Sequence, residues 1–154
     1  MSGGEILHIY AKKSEFFEAL PKPVPFAGMK ELMQRIEAAG IAIWVVTGSA
    51  QEQLLDGLFS DFAGLIVKGR IVSAKDVRHG KPHPEPYLNA LKKSGFAAAE
   101  VLVVENAPLG VESAKAAGIR TICINTGILA DEILWSAGAD AVVKEVKDLE
   151  KYLK

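Results

Sequence analysis

The stretch Val101 to Gly118, VLVVENAPLGVESAKAAG, constrains this chain more than any other, because an apolar run ends abruptly on an acid and an amide and then turns helical. Val101-Leu102-Val103-Val104 is apolar throughout and rich in β-branched residues, which fits a parallel strand buried on both faces. Pro108 has the fixed φ suited to a first helical turn, and Val111, Ala114 and Ala117 recur at helical spacing until Gly118 ends the pattern. Glu105 and Asn106 then stand at the carboxyl end of a strand, where open parallel sheets bind ligands. Two readings of the pair stay open: oxygen ligands for a hard cation, or a helix cap by Asn106 beside a solvated Glu105.

The same strand-to-helix pattern recurs along the chain. Met29, Leu32, Met33 and Ile36 line one face of a helix that Gly40 ends. Ile41 to Val46 reads as a second buried strand, followed by Thr47-Gly48-Ser49 and a helix over Gln51 to Leu58. A hydroxyl, a glycine and a hydroxyl before a helix suit a phosphate cradle, because free backbone N–H groups point outward there; a plain N-cap by Ser49 is the alternative. After the weaker apolar pieces Leu65–Val67 and Ile71–Val72 comes His79-Gly80-Lys81-Pro82-His83-Pro84-Glu85-Pro86. Its three prolines fix φ and can aim Lys81 at an anion. The flanking His79 and His83 have no partner acid or cysteine at metal-ligand spacing.

Further on, a helix is expected from Pro84 or Glu85 to Lys93, strands over Arg120–Ile124 and Ala139–Val143, and helices over Leu129–Ser136 and Val146–Leu153. The βαβαβα alternation predicts an α/β fold, a doubly wound parallel sheet with helices on both faces. At the other end, Glu5 to Leu20 reads as an amphipathic helix, with Ile6–Tyr10 also compatible with a short strand. Pro21, Pro23 and Pro25 make a stiff connector over residues 21–27, so the expected division is 1–20, connector, and a core over 28–154.

Charge narrows the partners. With 18 basic and 19 acidic residues there is no electrostatic case for nucleic acid or an anionic membrane surface, so a small molecule is the expected partner. No apolar run is long enough to span a bilayer, and a cytoplasmic protein is expected. The single cysteine, Cys123, lies inside Thr121–Ile124 and reads as a buried core thiol.

Taken in order, VVTGSA at 45–50, GKPHPEPY at 80–87 and VVENAPLGVESAKAAG at 103–118 resemble the haloacid dehalogenase superfamily, in particular its β-phosphoglucomutase-like phosphatase branch. The resemblance runs from about Phe26 to the C-terminus. It implies a Rossmannoid core that binds the phosphoryl group of a small phosphorylated molecule with Mg²⁺. On this reading Thr47, Gly48 and Ser49 hold phosphoryl oxygens, Lys81 balances their charge, and Glu105 and Asn106 help hold the metal; Thr47 and Lys81 are the catalytic candidates. Many relatives carry an aspartate where this chain has Asn106, so a weaker metal site is implied.

The beginning departs from the family pattern. The family's nucleophile is the first aspartate of a DxD pair on an N-terminal strand, and no aspartate precedes Asp56 here. Asp56, Asp61 and Asp76 do not follow apolar strands, and Glu5 precedes the only candidate N-terminal strand. The core is therefore expected to be truncated, to lack most of the cap, and to be inactive alone, with a noncatalytic phosphate-binding or subunit-interaction module as the alternative. The missing strand is the central one of the fold. Its place is expected to be taken by Ile6–Tyr10, by closing up of its neighbours, or by another chain or a second copy in a homodimer.

Overall fold

The computed structural model describes residues 24–153 apart from Thr126 and Ile128; the expected helix over 5–20 and the strand alternative at 6–10 lie outside the described residues. In chain order the helices are α1 (Met29–Ala38), α2 (Glu52–Asp61), α3 (Glu85–Ser94), α4 (Pro108–Ala116) and α5 (Asp131–Ser136). The strands are β1 (Val45–Val46), β2 (Ile71–Val72), β3 (Leu102–Glu105), β4 (Arg120–Ile124) and β5 (Ala141–Val143). All observed pairing is parallel, in the order expected of an α/β chain.

The strands form two sheets. β3, β4 and β5 make one, with Val104 opposite Ile122 and Cys123 opposite Val142, while β1 and β2 make the other. β1 and β3 do not pair, so the neighbours of the expected central strand have not closed up among the described residues. That arrangement corrects two expectations. The strand foreseen over Ile41–Val46 is only Val45–Val46, with Ile41 exposed, because a strand paired along one edge has half its ladder and half its cover. The strand at β3 is not buried on both faces, since Val104 is 42% exposed.

Three packed layers hold the larger sheet. On one face Leu32 of α1 packs with Ile122, Ile124, Ala141, Val143, Val146 and Leu149. On the other, Tyr87 of α3 packs with Val103, Ala114, Ala117 and Ile119, and Val111 of α4 with Cys123 and Leu134. Cys123 is fully buried, as its apolar setting predicted, and burial chiefly pushes its thiol up to about 11. The small sheet has its own core, where Phe62, Leu65 and Ile66 meet Val45, Ile71 and Met33.

Two elements join the sheets. Met29 of α1 packs against both cores, and α3 touches β1, β2 and α4. The last segment, Val146–Tyr152, is 3-10 rather than the expected α-helix, and the α5 helix begins only at Asp131.

Candidate functional site

β1 and β3 end side by side, and the residues singled out from the sequence lie at those ends. Thr47 continues the β1 ladder, its N–H donating to the Val72 carbonyl at 2.9 Å. Ser49 N–H donates to Thr47 Oγ1 at 3.1 Å, and Gln51 N–H to Ser49 Oγ at 3.2 Å. The turn is therefore tightly self-bonded. This corrects the picture of a cradle of free amides: the Thr47 and Ser49 N–H groups are engaged within the protein, leaving the Gly48 amide and the two hydroxyls as the groups a ligand could meet. Neither does Ser49 cap α2, whose N-cap is Gln51, and no side chain makes the capping bond.

Lys81 crosses the interval between the two sheets. Its Nζ donates to the Val46 carbonyl at 3.1 Å and to Glu105 Oε1, joining the last residue of β1 to the last residue of β3. Both side chains are largely buried, at 16% and 10% exposure, so the pair sits in a medium where charge pairing matters more than at a surface. Lys81 is thus not the solvated loop lysine that is commonest at such positions. Its aim is set by the loop: Ser113 Oγ of α4 donates to the His83 carbonyl at 2.6 Å, and His83 N–H donates to Gly80 O at 3.0 Å.

Glu105 has further partners that the sequence reading left without a role. The Tyr87 hydroxyl donates to Glu105 Oε1 at 2.6 Å, and the Lys81 ammonium lies 5.1 Å from the centre of the Tyr87 ring. Burial, then the adjacent Glu105 charge, raises the Tyr87 pKa far above its ordinary value, so it remains a donor. Gly110, on the first turn of α4, leaves room for the carboxylate: a Cβ there would lie 2.2 Å from Glu105 Cδ. Tyr87 falls inside the GKPHPEPY motif and Gly110 inside the α4 motif, so the signal was present in both.

Asn106 is exposed and does not cap α4, whose N-cap is Ala107; its own N–H donates to Glu105 Oε2 at 3.2 Å. The cap reading of Asn106 is therefore replaced by a side chain on the open rim beside Glu105. Two oxygen donors from adjacent residues, one charged, fit Mg²⁺, which takes one or two carboxylates and completes its shell with water and phosphate oxygens. None of the aspartates weighed as substitutes sits at a strand end. Asp56 and Asp61 lie on α2, and Asp76 closes a capping box with Ser73 while pairing with Lys93 at 2.7 Å.

One correction concerns the histidines. Glu85, which opens α3, folds back so that its Oε2 lies 2.9 Å from His79 Nδ1, giving His79 and His83 the acidic neighbour that linear spacing did not suggest.

Comparison with known proteins agrees with the resemblance. A profile of haloacid dehalogenase-like hydrolases matches residues 5–124. The chain is 36% identical over 118 residues to hexitol phosphatase A of Escherichia coli, covering 77% of this chain and 51% of that one. It is 32% identical over 130 residues to glycerol-1-phosphate phosphohydrolase 2 of Saccharomyces cerevisiae, covering 80% and 51%. The chain thus spans about half the length of these curated relatives. Among solved structures, a Bacteroides vulgatus protein provisionally named a beta-phosphoglucomutase superposes with a TM-score of 0.91 at 44% identity, over 98% of this chain and 61% of that one.

Proposed function

The chain belongs to the haloacid dehalogenase-like hydrolases, and from that premise we propose that it holds the phosphoryl group of a small phosphomonoester without turning it over alone. The observation that carries this reading is Lys81, a buried cation fixed between the ends of β1 and β3. Its relatives include named sugar and polyol phosphatases, which supports the substrate class.

In this reading the Thr47 and Ser49 hydroxyls and the Gly48 amide meet phosphoryl oxygens, and Lys81 turns from Glu105 toward them. That move leaves the Glu105 carboxylate uncompensated in a largely buried position. Glu105 and Asn106 would then hold a divalent cation, whose charge would offset the carboxylate and help neutralise the phosphoryl group. Phosphate at its own site and Mg²⁺ at Glu105 and Asn106 would therefore each tighten the binding of the other. Tyr87 keeps Glu105 oriented throughout. The lack of turnover in this reading is supported by the residue types at the strand ends, since among the described residues no aspartate stands where attack on phosphorus requires one. The division into a cap remnant over 1–20, a connector over 21–27 and a core over 28–154 belongs to the same proposal, as does cytoplasmic placement, for which the lone buried cysteine is the support. Among the described residues no helix is long and apolar enough to cross a membrane.

Calorimetry of inorganic phosphate with and without Mg²⁺, beside hydrolysis of an aryl phosphate, tests this. We expect Mg²⁺ to tighten phosphate binding, Lys81→Ala to remove it, and neither protein to hydrolyse the ester. Phosphate binding that survives Lys81→Ala overturns the cradle, and turnover that vanishes in that variant overturns the noncatalytic half of the reading.

A second reading, a module completed by another chain, is favoured by the facing edges of β1 and β3, which find no partner strand among the described residues, and by the exposure of Val104. A strand from a second copy or a partner would lie parallel between them. A monomeric mass at all concentrations in sedimentation, with no partner present, counts against the homodimer form of it.

A further inference from the structure

We propose that His79, His83 and Glu85 form a second, independent metal site, one that takes a borderline divalent cation such as Zn²⁺ on the loop that carries Lys81. The three donors come from one turn of chain, and each offers a ligand atom within 4.8 Å of the other two. The imidazole rings face each other with centroids 4.6 Å apart and planes 34° from parallel. Metal bonds to nitrogen and carboxylate oxygen are about 2.0–2.2 Å long, so modest side-chain rotations close a cation among atoms already this near.

The backbone under the cluster is fixed before any metal arrives. Glu85 Oε1 accepts from Arg78 N–H at 2.8 Å, and Oε2 from His79 N–H at 2.9 Å. His83 is anchored through its carbonyl by Ser113 of α4. Positions on both sides of each histidine are therefore constrained, and little backbone ordering remains to be done on binding.

The donor set also selects its ion. Two imidazoles and one carboxylate suit Zn²⁺, Co²⁺, Ni²⁺ or Cu²⁺, whereas Mg²⁺ prefers oxygen ligands alone. The Glu105–Asn106 pair offers only oxygen and lies on another element, so the two sites divide the cations by hardness. His79, whose side chain is 64% exposed, leaves the outer side open to water as a fourth ligand. As the protein stands, the cluster is held by the His79 Nδ1–Glu85 contact and by Glu85 N–H donating to His83 Nδ1 at 3.1 Å. These surface bonds contribute little to stability, and a cation replaces both.

Titration of the full chain with Zn²⁺ in saturating Mg²⁺, followed by calorimetry, and with Co²⁺, followed by visible absorption, tests the site. We expect one equivalent of Zn²⁺ to bind, Co²⁺ to develop visible bands that Zn²⁺ displaces, and His79→Ala and His83→Ala each to weaken binding by more than about tenfold. Asn106→Ala should leave it unchanged. Far-UV circular dichroism confirms that the exposed-histidine variants stay folded. Failure of the folded wild-type protein to take up Zn²⁺, or uptake indifferent to both loop substitutions, would overturn the proposal.

Discussion

Glu105 shows how much one carboxylate can organise. Lys81, Tyr87 and the Asn106 amide all direct hydrogen-bond donors at it, and α4 clears its place with a glycine. A helical glycine is intrinsically worse than alanine by about 0.5–1 kcal/mol, so Gly110 is explained by room rather than by propensity. Gly57, in α2, has nothing within 4 Å of a built Cβ and makes the control. Gly57→Ala is expected to raise the thermal midpoint slightly. Gly110→Ala is expected to lower stability by about 1–3 kcal/mol, because Glu105 is driven from its buried partners, and to weaken phosphate binding with it. Equal and favourable effects of the two substitutions in a melting experiment would show that Glu105 does not occupy that space.

At the scale of elements, the loops matter as much as the strands. Asp76 caps the short 3-10 turn Ala74–Asp76 by accepting from Ser73 N–H and Ser73 Oγ, each at 2.8 Å, and it pairs with Lys93 of α3. It thereby ties the segment after β2 to the helix that bridges the sheets. Lys93 first, and then the Ser73 backbone and hydroxyl, lower its pKa from the usual 3.8 to about 2. A carboxyl depressed in the folded state contributes stability that is present above its unfolded pKa and is lost as pH falls through the folded one. The window is therefore between about pH 4 and pH 2. Asp76→Asn should lower the urea midpoint at pH 7, and its deficit against wild type should shrink steadily across that window. A deficit that stays constant down to pH 2 would mean the carboxylate charge is not what holds the turn. The histidine loop teaches a related lesson. Its motif was visible in the sequence, yet Glu85 reaches His79 only because the prolines and the start of α3 reverse the chain.

At the scale of the whole molecule, the decisive feature is that the described strands form a parallel sheet in two pieces, joined by α1, α3 and one lysine. β4 is paired on both sides, while among the described residues β1 and β2 have only each other. Native-state hydrogen exchange should therefore find Ile122 and Cys123 among the slowest amides and Val45 and Val46 much faster, since local opening of a two-stranded ribbon breaks fewer contacts. Comparable protection in β1 and β4 would indicate a strand already seated between β1 and β3. Periodicity, glycine stops and the three ordered motifs were enough to read the α/β class, the family and the order of the elements, and they singled out Thr47, Lys81 and Glu105, because those signals depend on local spacing and on the chemistry of individual side chains. Only the tertiary structure could decide that Lys81 pairs with Glu105 across the interval, that Tyr87 and Gly110 complete that pocket, that the Thr47 and Ser49 amides are already engaged, and that β1 is two residues long. Those outcomes depend on which distant groups share a low-dielectric space and on which edges find a partner, and neither is encoded in the spacing of residues along the chain.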